Sequence, residues 1–330
     1  MKRQHVDLQQ LASWDNLTLA LWKAARGKRQ RPDVVHFLAN YEARLAELQD
    51  QILNHQLPLG RYHCFQIKDP KPRKITAVSF ELRVVHHAIM NLIGENLEKS
   101  QIANSFACLP GRGAHAAVQR VQRGQWCVKI DIEKYFERLD HALLKEKLAR
   151  RFKGWHFLRL LNAIIEGYQE QPGKGLPIGS LTSQYFANFY LEGADRAIER
   201  MPETKGYVRY MDDMIWFCHD KPSARQSLAK AVELLEGERL TVKPQRWVQP
   251  VSLGVHYCGY RILPRRILLS RRKKRAYKKY LERWQGRWQA GEIDALGLQR
   301  GYDAVHGITT LAASRGFRRA VLARMAGVDA

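Results

Sequence analysis

The sequence predicts a mixed α/β fold of the α+β type, in which an antiparallel sheet is backed by helices. Residues 1–58 have the apolar spacing of helices, first in LQQLASWDNLTLALWKAARG and again in VVHFLANYEARLAELQDQIL. Further along, YVRYM and MIWFC flank a short turn, which predicts two paired strands. From residue 271 onward the pattern is helical and very basic.

Residues 61–151 contain a predicted hairpin, two helices and a strand. YHCFQI and ITAV are strand-like, and the turn-forming KDPKPRK between them gives the hairpin a basic tip. FELRVVHHAIMNLIGENLE then predicts a helix, and QWCVKIDI predicts a buried strand. Asp140 is the expected N-cap of the next helix, HALLKEKLARRF.

The following 120 residues alternate helices with short strands. FLRLLNAIIEGY and YFANFYLEGADRAIER predict helices on either side of the glycine-rich QPGKGLPIGSLTSQ. After the YVRYM and MIWFC strands we expect a helix near 223–237 and then a short strand. HYCGYRI and RILLS predict a further β-hairpin.

The composition indicates a polyanionic partner. Lys and Arg total 55 against 32 Asp and Glu, a formal charge of +23 spread over 330 residues. Such an excess destabilises a compact chain through self-repulsion unless a counter-charge binds. Nucleic acid is the favoured partner; a membrane surface is second, because basic membrane binders usually concentrate charge on one amphipathic helix.

The five cysteines and the N-terminus indicate a cytoplasmic protein. The cysteines form no C-x-x-C pair and no zinc-ligand spacing with the histidines, so we interpret them as reduced thiols. No stretch approaches the length of an apolar membrane span, and MKRQHVDLQQ lacks the apolar core of a secretory signal. We therefore expect no membrane association and no export.

Two adjacent aspartates, Asp212 and Asp213, lie between the YVRYM and MIWFC strands. An Asp pair alone is more often a solvated turn. Here both flanks are apolar enough to lie in a sheet, where adjacent carboxylates are costly unless a cation neutralises them. This context favours a metal-binding hairpin.

A third carboxylate, Asp131, ends the predicted strand QWCVKIDI. Its alternative role is an N-cap for the following turn. Together with Asp212 and Asp213 it would supply three hard oxygen ligands on neighbouring strands, which suit Mg²⁺ or Mn²⁺. Two such ions bridging phosphates would support phosphoryl transfer.

The order of these motifs resembles the palm of reverse transcriptases. KIDIEKYF, then GLPIGSLTSQ opening a helix, then YVRYMDD and HYCGYRI follow the succession of motifs in that family, over about residues 61–262. Group II intron enzymes usually carry Gln-Gly where Ile178-Gly179 stands here, and the V-T-G tripeptide of retron enzymes is absent. The form I-G-S-L-T-S-Q is similar to reverse transcriptases of diversity-generating retroelements.

The resemblance implies a right-hand polymerase. We expect an N-terminal helical module over 1–60, fingers over 61–125, a palm over 126–262 and a basic helical thumb over 263–330. Part of 141–185 would pack with the fingers.

The resemblance also implies roles for individual residues. Asp131, Asp212, Asp213 and the backbone carbonyl of Ile132 would bind two metal ions. Phe136 would lie beneath the sugar and exclude a ribose 2′-hydroxyl, unless it is an ordinary core aromatic.

The remaining roles implied by the resemblance concern the nucleotide and the duplex. Arg73 and Lys74 would grip the triphosphate, although a solvated basic turn is the alternative. The segment 175–184, including Ile178 and Gln184, would hold the nascent base pair, with Gly179 permitting close backbone approach. Its hydroxyl residues Ser180, Thr182 and Ser183 could otherwise be helix caps.

Three further features complete the expected site. Lys243 or Arg246 would lie near the leaving pyrophosphate. Tyr260 would belong to a hairpin that positions the primer end. Residues 261–287 carry twelve Lys or Arg against the single acid Glu282, and we expect this region to bind duplex phosphates rather than form a solvated basic face.

The expected activity is copying of a retroelement template RNA into cDNA from deoxynucleoside triphosphates. Diversity-generating relatives imply errors at template adenines, diversification of a target gene, a small basic oligomeric accessory protein, and a bacterial, archaeal or phage origin. A retron-like or antiphage reverse transcriptase is one alternative. A non-catalytic, maturase-like RNA-binding protein is the alternative outside the enzyme class.

Overall fold

The computed structural model describes residues 3–68, 72–121 and 125–326, and these divide into two compact units. The first unit contains the described residues up to Ala103 together with Asp131–Ile198 and Lys230–Pro244. The second contains Asn104–Ile130, Glu199–Ala229 and the described residues from Gln245 onward. Among all of these residues, no helix is both long enough and apolar enough to cross a lipid bilayer.

The strands are mostly short. In chain order they are β1 (Gln4–His5), β2 (Tyr62–Lys68), β3 (Pro72–Val78), β4 (Trp126–Asp131), β5 (Phe152–Lys153), β6 (Gly206–Tyr210), β7 (Asp213–Cys218), β8 (Trp247–Pro250), β9 (Val255–Tyr257), β10 (Tyr260–Ile262) and β11 (Ile267–Leu269).

The helices account for most of the described chain. They are α1 (Leu8–Leu11), α2 (Trp14–Ala25), α3 (Pro32–Ala39), α4 (Tyr41–Leu53), α5 (Phe80–Ser100), α6 (Ala114–Arg120), α7 (Tyr135–Arg138), α8 (His141–Arg151), α9 (Trp155–Glu166), α10 (Leu181–Tyr190), α11 (Glu192–Glu199), α12 (Lys221–Gly237), α13 (Arg271–Gln289), α14 (Ala295–His306) and α15 (Arg315–Met325).

In the first unit, the N-terminal helices pack on the long buried helix α5. Ser13 caps α2 by accepting a hydrogen bond from the Asn16 N–H, and this cap separates α1 from α2. The buried Asn16 amide donates to the Leu11 carbonyl at 2.8 Å and to the Ala88 carbonyl of α5 at 3.2 Å. These bonds satisfy a polar side chain that would otherwise be costly inside the core.

The predicted basic hairpin is also in the first unit. Strands β2 and β3 pair antiparallel, from Tyr62 opposite Val78 to Lys68 opposite Pro72. Residues 69–71 of the predicted basic turn lie outside the described residues.

The second unit contains a four-stranded sheet in the order β6-β7-β4-β8. Pairs β6–β7 and β4–β8 are antiparallel. Alternate side chains pack with α6 in one apolar cluster that includes Ala117, Val208 and Ile215, and Trp216 of β7 donates from its indole to Ser227 Oγ of α12 at 2.9 Å. The predicted α+β class, with antiparallel strands backed by helices, is therefore confirmed.

The C-terminal part of the second unit joins a small sheet to three helices. Strands β9, β10 and β11 form an antiparallel meander. Helices α13 to α15 share a core that includes Tyr277, Leu281 and Val305. Gly301 of α14 lies against Trp284 of α13 so closely that an added Cβ would lie 2.2 Å from the indole Cδ2.

The structure changes the bounds of several predicted helices and adds one hairpin. The two N-terminal helical patterns are each split, at Ser13 and at Asn40, and the helix predicted at YFANFYLEGADRAIER is interrupted at Leu191. That helix also begins earlier, at Leu181. The predicted hairpin of HYCGYRI with RILLS is present as β10 and β11. HYCGYRI also contains a hairpin of its own, in which Cys258 and Gly259, both with positive φ, form the two-residue turn.

Candidate active site

A two-residue turn presents the adjacent aspartates of the second unit. Tyr210 pairs with Asp213 across β6 and β7, so that only Met211 and Asp212 form the loop. Met211 has φ +57°, a left-handed conformation that normally favours glycine. The buried Arg209 donates from Nη1 to the Met211 carbonyl O at 3.0 Å and thereby holds the turn.

A lysine of strand β4 contacts the second aspartate. Lys129 Nζ lies 3.1 Å from Asp213 Oδ2, and the two side chains are only 18% and 22% exposed. The Tyr257 hydroxyl donates to the backbone carbonyl of Asp213 at 3.2 Å. Sequence reasoning missed Lys129 and Arg209. A signal for Lys129 was present, since it lies two residues before Asp131 and strand residues two apart share a face.

The third aspartate, Asp131, contacts a different lysine, which lies in the first unit. Asp131 is the last residue of β4, and its carboxylate forms an ion pair with Lys243. The Lys243 N–H donates to the Asp131 carbonyl at 2.9 Å, and Ile132 forms an isolated antiparallel bridge with Val242. Of the two cations considered for the pyrophosphate, Lys243 is therefore the one fixed at Asp131, whereas Arg246 is exposed.

The glycine-rich segment of the first unit is held by backbone hydrogen bonds. The Leu176 N–H donates to the Phe136 carbonyl at 2.7 Å, and the Thr76 N–H of β3 donates to the Ile178 carbonyl at 2.8 Å. Gly179 has φ +124°, and an added Cβ would lie 3.1 Å from Ile75 Cγ2. The close approach expected at Gly179 is thus made to the basic hairpin.

A buried histidine of α5 fixes the start of helix α10. His86 Nδ1 lies 2.8 Å from Ser180 Oγ and 3.3 Å from Thr182 Oγ1. Burial, followed by the nearby His87 and Arg83, lowers the pKa of His86 to about 3, so the ring is neutral near pH 7. Ser180 occupies the N-cap position, but its side chain makes no cap hydrogen bond.

The other predicted nucleotide contacts lie in the first unit. Arg73 and Lys74 are exposed on β3, and Lys74 Nζ is 3.8 Å from Glu170 Oε2. Phe136 is half-buried and packs edge-to-face on Tyr135, with 5.8 Å between ring centroids. Gln184 is half-buried on α10, and Ile178 is half-buried in the glycine-rich segment.

Tyr260 connects the small sheet of the second unit to neighbouring helices. Its hydroxyl lies 2.8 Å from His115 Nε2 and donates to the Ile308 carbonyl at 3.2 Å. Lys273 of α13 lies over its ring, 4.2 Å from the centroid. Tyr260 is fully buried and therefore supports the hairpin from within.

The donor chemistry of the aspartates fits hard divalent cations. Carboxylate oxygens are the ligands that Mg²⁺ and Mn²⁺ prefer, and both Asp131 and Asp213 already contact an ammonium group. Within residues 3–68, 72–121 and 125–326, however, no group of three or more His, Cys, Asp or Glu side chains has a metal-binding arrangement. The metal-binding role of Asp131, Asp212 and Asp213 therefore stays a prediction.

Comparison with known proteins assigns a family. Residues 67–262, well over half of the chain, match the reverse transcriptase (RNA-dependent DNA polymerase) family. The chain therefore belongs to the reverse transcriptase family, and the predictions of a reverse transcriptase fold and of the RNA-directed DNA polymerase class are confirmed. The matched residues include all three aspartates.

The individual proteins that match this chain share only a low sequence identity with it. Protein YkfC of Escherichia coli K12 is 23% identical over 282 residues, covering 68% of this chain and 74% of its own. A putative COX1/OXI3 intron 2 protein of Saccharomyces cerevisiae is 28% identical over 92 residues, which are 26% of this chain and 11% of the yeast protein.

Telomerase structures were also found. Apo telomerase from Candida tropicalis, truncated of its C-terminal domain, aligns at 13% identity with a TM-score of 0.48, over 63% of this chain and 55% of its own. Telomerase of the same species with a fragment of telomeric RNA aligns at 10% identity and a TM-score of 0.48, over 81% of this chain. The chain spans about half the length of these telomerase chains.

Proposed function

We propose that this reverse transcriptase copies a retroelement template RNA into cDNA, using two divalent ions bound by Asp131, Asp212 and Asp213. The observation that carries the proposal is the tight β6–β7 turn, which holds Asp212 and Asp213 next to each other, with Asp213 paired to Lys129 of strand β4. The same strand ends at Asp131. Mg²⁺ is the proposed ion, and Mn²⁺ has similar ligand preferences.

Bound ions would lower the pKa of a primer 3′-hydroxyl and neutralise charge on the triphosphate and the leaving pyrophosphate. The backbone carbonyl of Ile132 is proposed as a further ligand. Lys243 is the proposed cation for the pyrophosphate, because its contact with Asp131 places an ammonium group at that carboxylate. Lys243 is proposed in preference to Arg246, whose side chain is exposed.

The first unit supplies the proposed nucleotide pocket. Arg73 and Lys74 of β3 would bind the triphosphate, and Arg offers bidentate contacts to phosphate oxygens. Thr76 of the same strand is hydrogen-bonded to Ile178, so the hairpin that carries Arg73 and Lys74 is joined directly to the glycine-rich segment. Phe136 would discriminate against ribose, and Gln184 would contact the nascent pair from α10.

We further propose the diversity-generating subgroup. The I-G-S-L-T-S-Q form of the second motif supports it. The proposal includes errors at template adenines and a small, basic, oligomeric accessory protein beside the template RNA, the cDNA–RNA duplex and dNTPs. A retron-like or antiphage enzyme would use the same aspartates on another template, so a nearby pair of imperfect repeats differing at adenines would distinguish the two.

The sequence of the cDNA tests this proposal. Purified enzyme, with its accessory protein if required, extends a primer on a defined RNA and the products are sequenced. A pocket that holds the nucleotide loosely loses discrimination, because pairing alone supplies little selectivity in water. Arg73→Ala and Ile178→Asn should therefore change misincorporation opposite adenine more than opposite other bases.

Wild-type products without excess errors at template adenines would contradict the assignment to the diversity-generating subgroup. Equal scaling of all four error rates in both variants would contradict the roles of Arg73 and Ile178. Absence of any RNA-templated product would favour the non-catalytic RNA-binding alternative.

A further inference from the structure

Lys129 is fixed against Asp213 by several contacts within the second unit. Besides lying 3.1 Å from Asp213 Oδ2, its ammonium donates to the His256 carbonyl O at 3.0 Å. It also lies over two aromatic rings, 5.5 Å from the centroid of Trp247 and 5.8 Å from that of Tyr257. Tyr257 holds the backbone of Asp213 through its hydroxyl.

This arrangement differs from an ordinary surface ion pair. Exposed pairs contribute little because water screens them and because two long side chains lose conformational freedom. Here both side chains are about four-fifths buried, and the carbonyl and the ring faces already restrict the ammonium. The positive charge at Asp213 is therefore preorganised.

We propose that Lys129 is a positioning residue that serves as a resident cation for Asp213, and that a divalent ion bound by Asp213 must compete with it. The inference rests on the proposed function, which makes Asp213 a metal ligand. Without metal, the ammonium neutralises Asp213 and fixes its carboxylate at the start of β7. When metal binds, two cations share one carboxylate and repel each other.

Two consequences follow for the chain. Lys129 stabilises the metal-free hairpin, because it offsets the repulsion between Asp213 and the adjacent Asp212. It also raises the concentration of free metal at which the site fills. The metal requirement of synthesis would then depend on Lys129 as well as on the aspartates.

Direct metal binding tests the proposal. The full chain without nucleic acid or nucleotide is titrated with Mn²⁺, and free ion is measured by electron paramagnetic resonance. Lys129→Met should bind Mn²⁺ about tenfold more tightly, since a neighbouring positive charge is removed. Without metal, Lys129→Met should also have a lower melting temperature than the wild type. Added Mn²⁺ should raise its melting temperature by more than it raises that of the wild type.

Two variants serve as controls. Lys129→Arg keeps the charge and should bind Mn²⁺ like the wild type. Lys221→Met removes another lysine that packs over a tryptophan, 5.7 Å from the Trp126 centroid, and should leave the affinity unchanged. Wild-type or weaker Mn²⁺ binding by Lys129→Met would overturn the proposal.

A measurement on the wild type covers the case in which Lys129→Met does not fold. The ¹⁵Nζ resonance that disappears in Lys129→Arg should shift as Mg²⁺ saturates the protein, whereas that of Lys221 should not. An unmoved Lys129 resonance would overturn the proposal.

The Asp213→Asn variant distinguishes a failure of the proposed function from a failure of the role proposed for Lys129. If it binds Mn²⁺ as the wild type does, Asp213 is not a ligand and the proposed function fails together with the inference. If it weakens Mn²⁺ binding but Lys129→Met has no effect, only the role of Lys129 is wrong.

Discussion

The buried His86 makes the stability of the first unit depend on pH. Burial lowers the pKa of this imidazole from 6.5 to about 3. In the unfolded chain the ring binds a proton below pH 6.5, whereas in the folded chain it stays neutral until about pH 3. Its contribution to stability is therefore fully present above pH 6.5 and is lost progressively as the pH falls toward 3.

The size of the effect follows from proton linkage. One proton bound only by the unfolded state costs about 1.4 kcal/mol per pH unit, so the loss between pH 6.5 and pH 5 is about 2 kcal/mol. His86→Asn removes the titrating ring. The neighbouring His87, whose pKa is lowered to about 4 by burial and nearby cations, is present in both proteins.

Urea unfolding of metal-free protein at pH 7, 6 and 5 measures the difference. Wild type should lose about 2 kcal/mol more than His86→Asn between pH 7 and pH 5. His219→Asn, which removes an exposed histidine, should follow the wild type. Equal pH dependence in wild type and His86→Asn would refute the neutral, buried state of His86.

Two further predictions concern the C-terminal helices. Replacing the exposed Arg271, Arg272 and Arg275 together by Ala should weaken duplex binding and reduce the slope of log K against log salt by up to about 0.9 for each phosphate that the chain no longer neutralises. An unchanged slope would show that these arginines face solvent and do not contact the phosphates of the duplex. Gly301→Ala should lower the free energy of unfolding by about 1–3 kcal/mol, because its Cβ would overlap Trp284. Gly286→Ala, on a helix with open space at that position, should instead be neutral or stabilising in the same denaturation assay.

Local patterns in the sequence predicted much of this architecture. The Asp140 cap of α8 was predictable because it depends on neighbouring residues, and Asp140 does accept a hydrogen bond from the Leu143 N–H. The β6–β7 hairpin was predictable because apolar strands flank Asp212 and Asp213. The split of the first helix was missed, although Ser13 is a local cap of the same kind and accepts a hydrogen bond from the Asn16 N–H.

Contacts between segments that are distant in sequence were harder to predict. The contact of Lys243 with Asp131 depends on the bridge of Ile132 with Val242, a register that no short pattern reveals. The Lys129–Asp213 pair likewise depends on strands that are neighbours in the sheet but 84 positions apart in sequence. The roles assigned to Arg73, Lys74, Phe136 and Gln184 stay predictions.

Asp131, Asp212 and Asp213 are proposed to bind the metal ions for RNA-templated DNA synthesis. The most direct test compares primer extension and RNA binding by Asp131→Asn, Asp212→Asn and Asp213→Asn, with Asp220→Asn as the control. Asp220 caps α12 by accepting from the Ser223 N–H, a role that Asn also fulfils. We expect each of the three variants to lose at least about a hundredfold in extension rate while RNA binding is retained, and the control to remain active. Robust extension by any of the three would contradict the account.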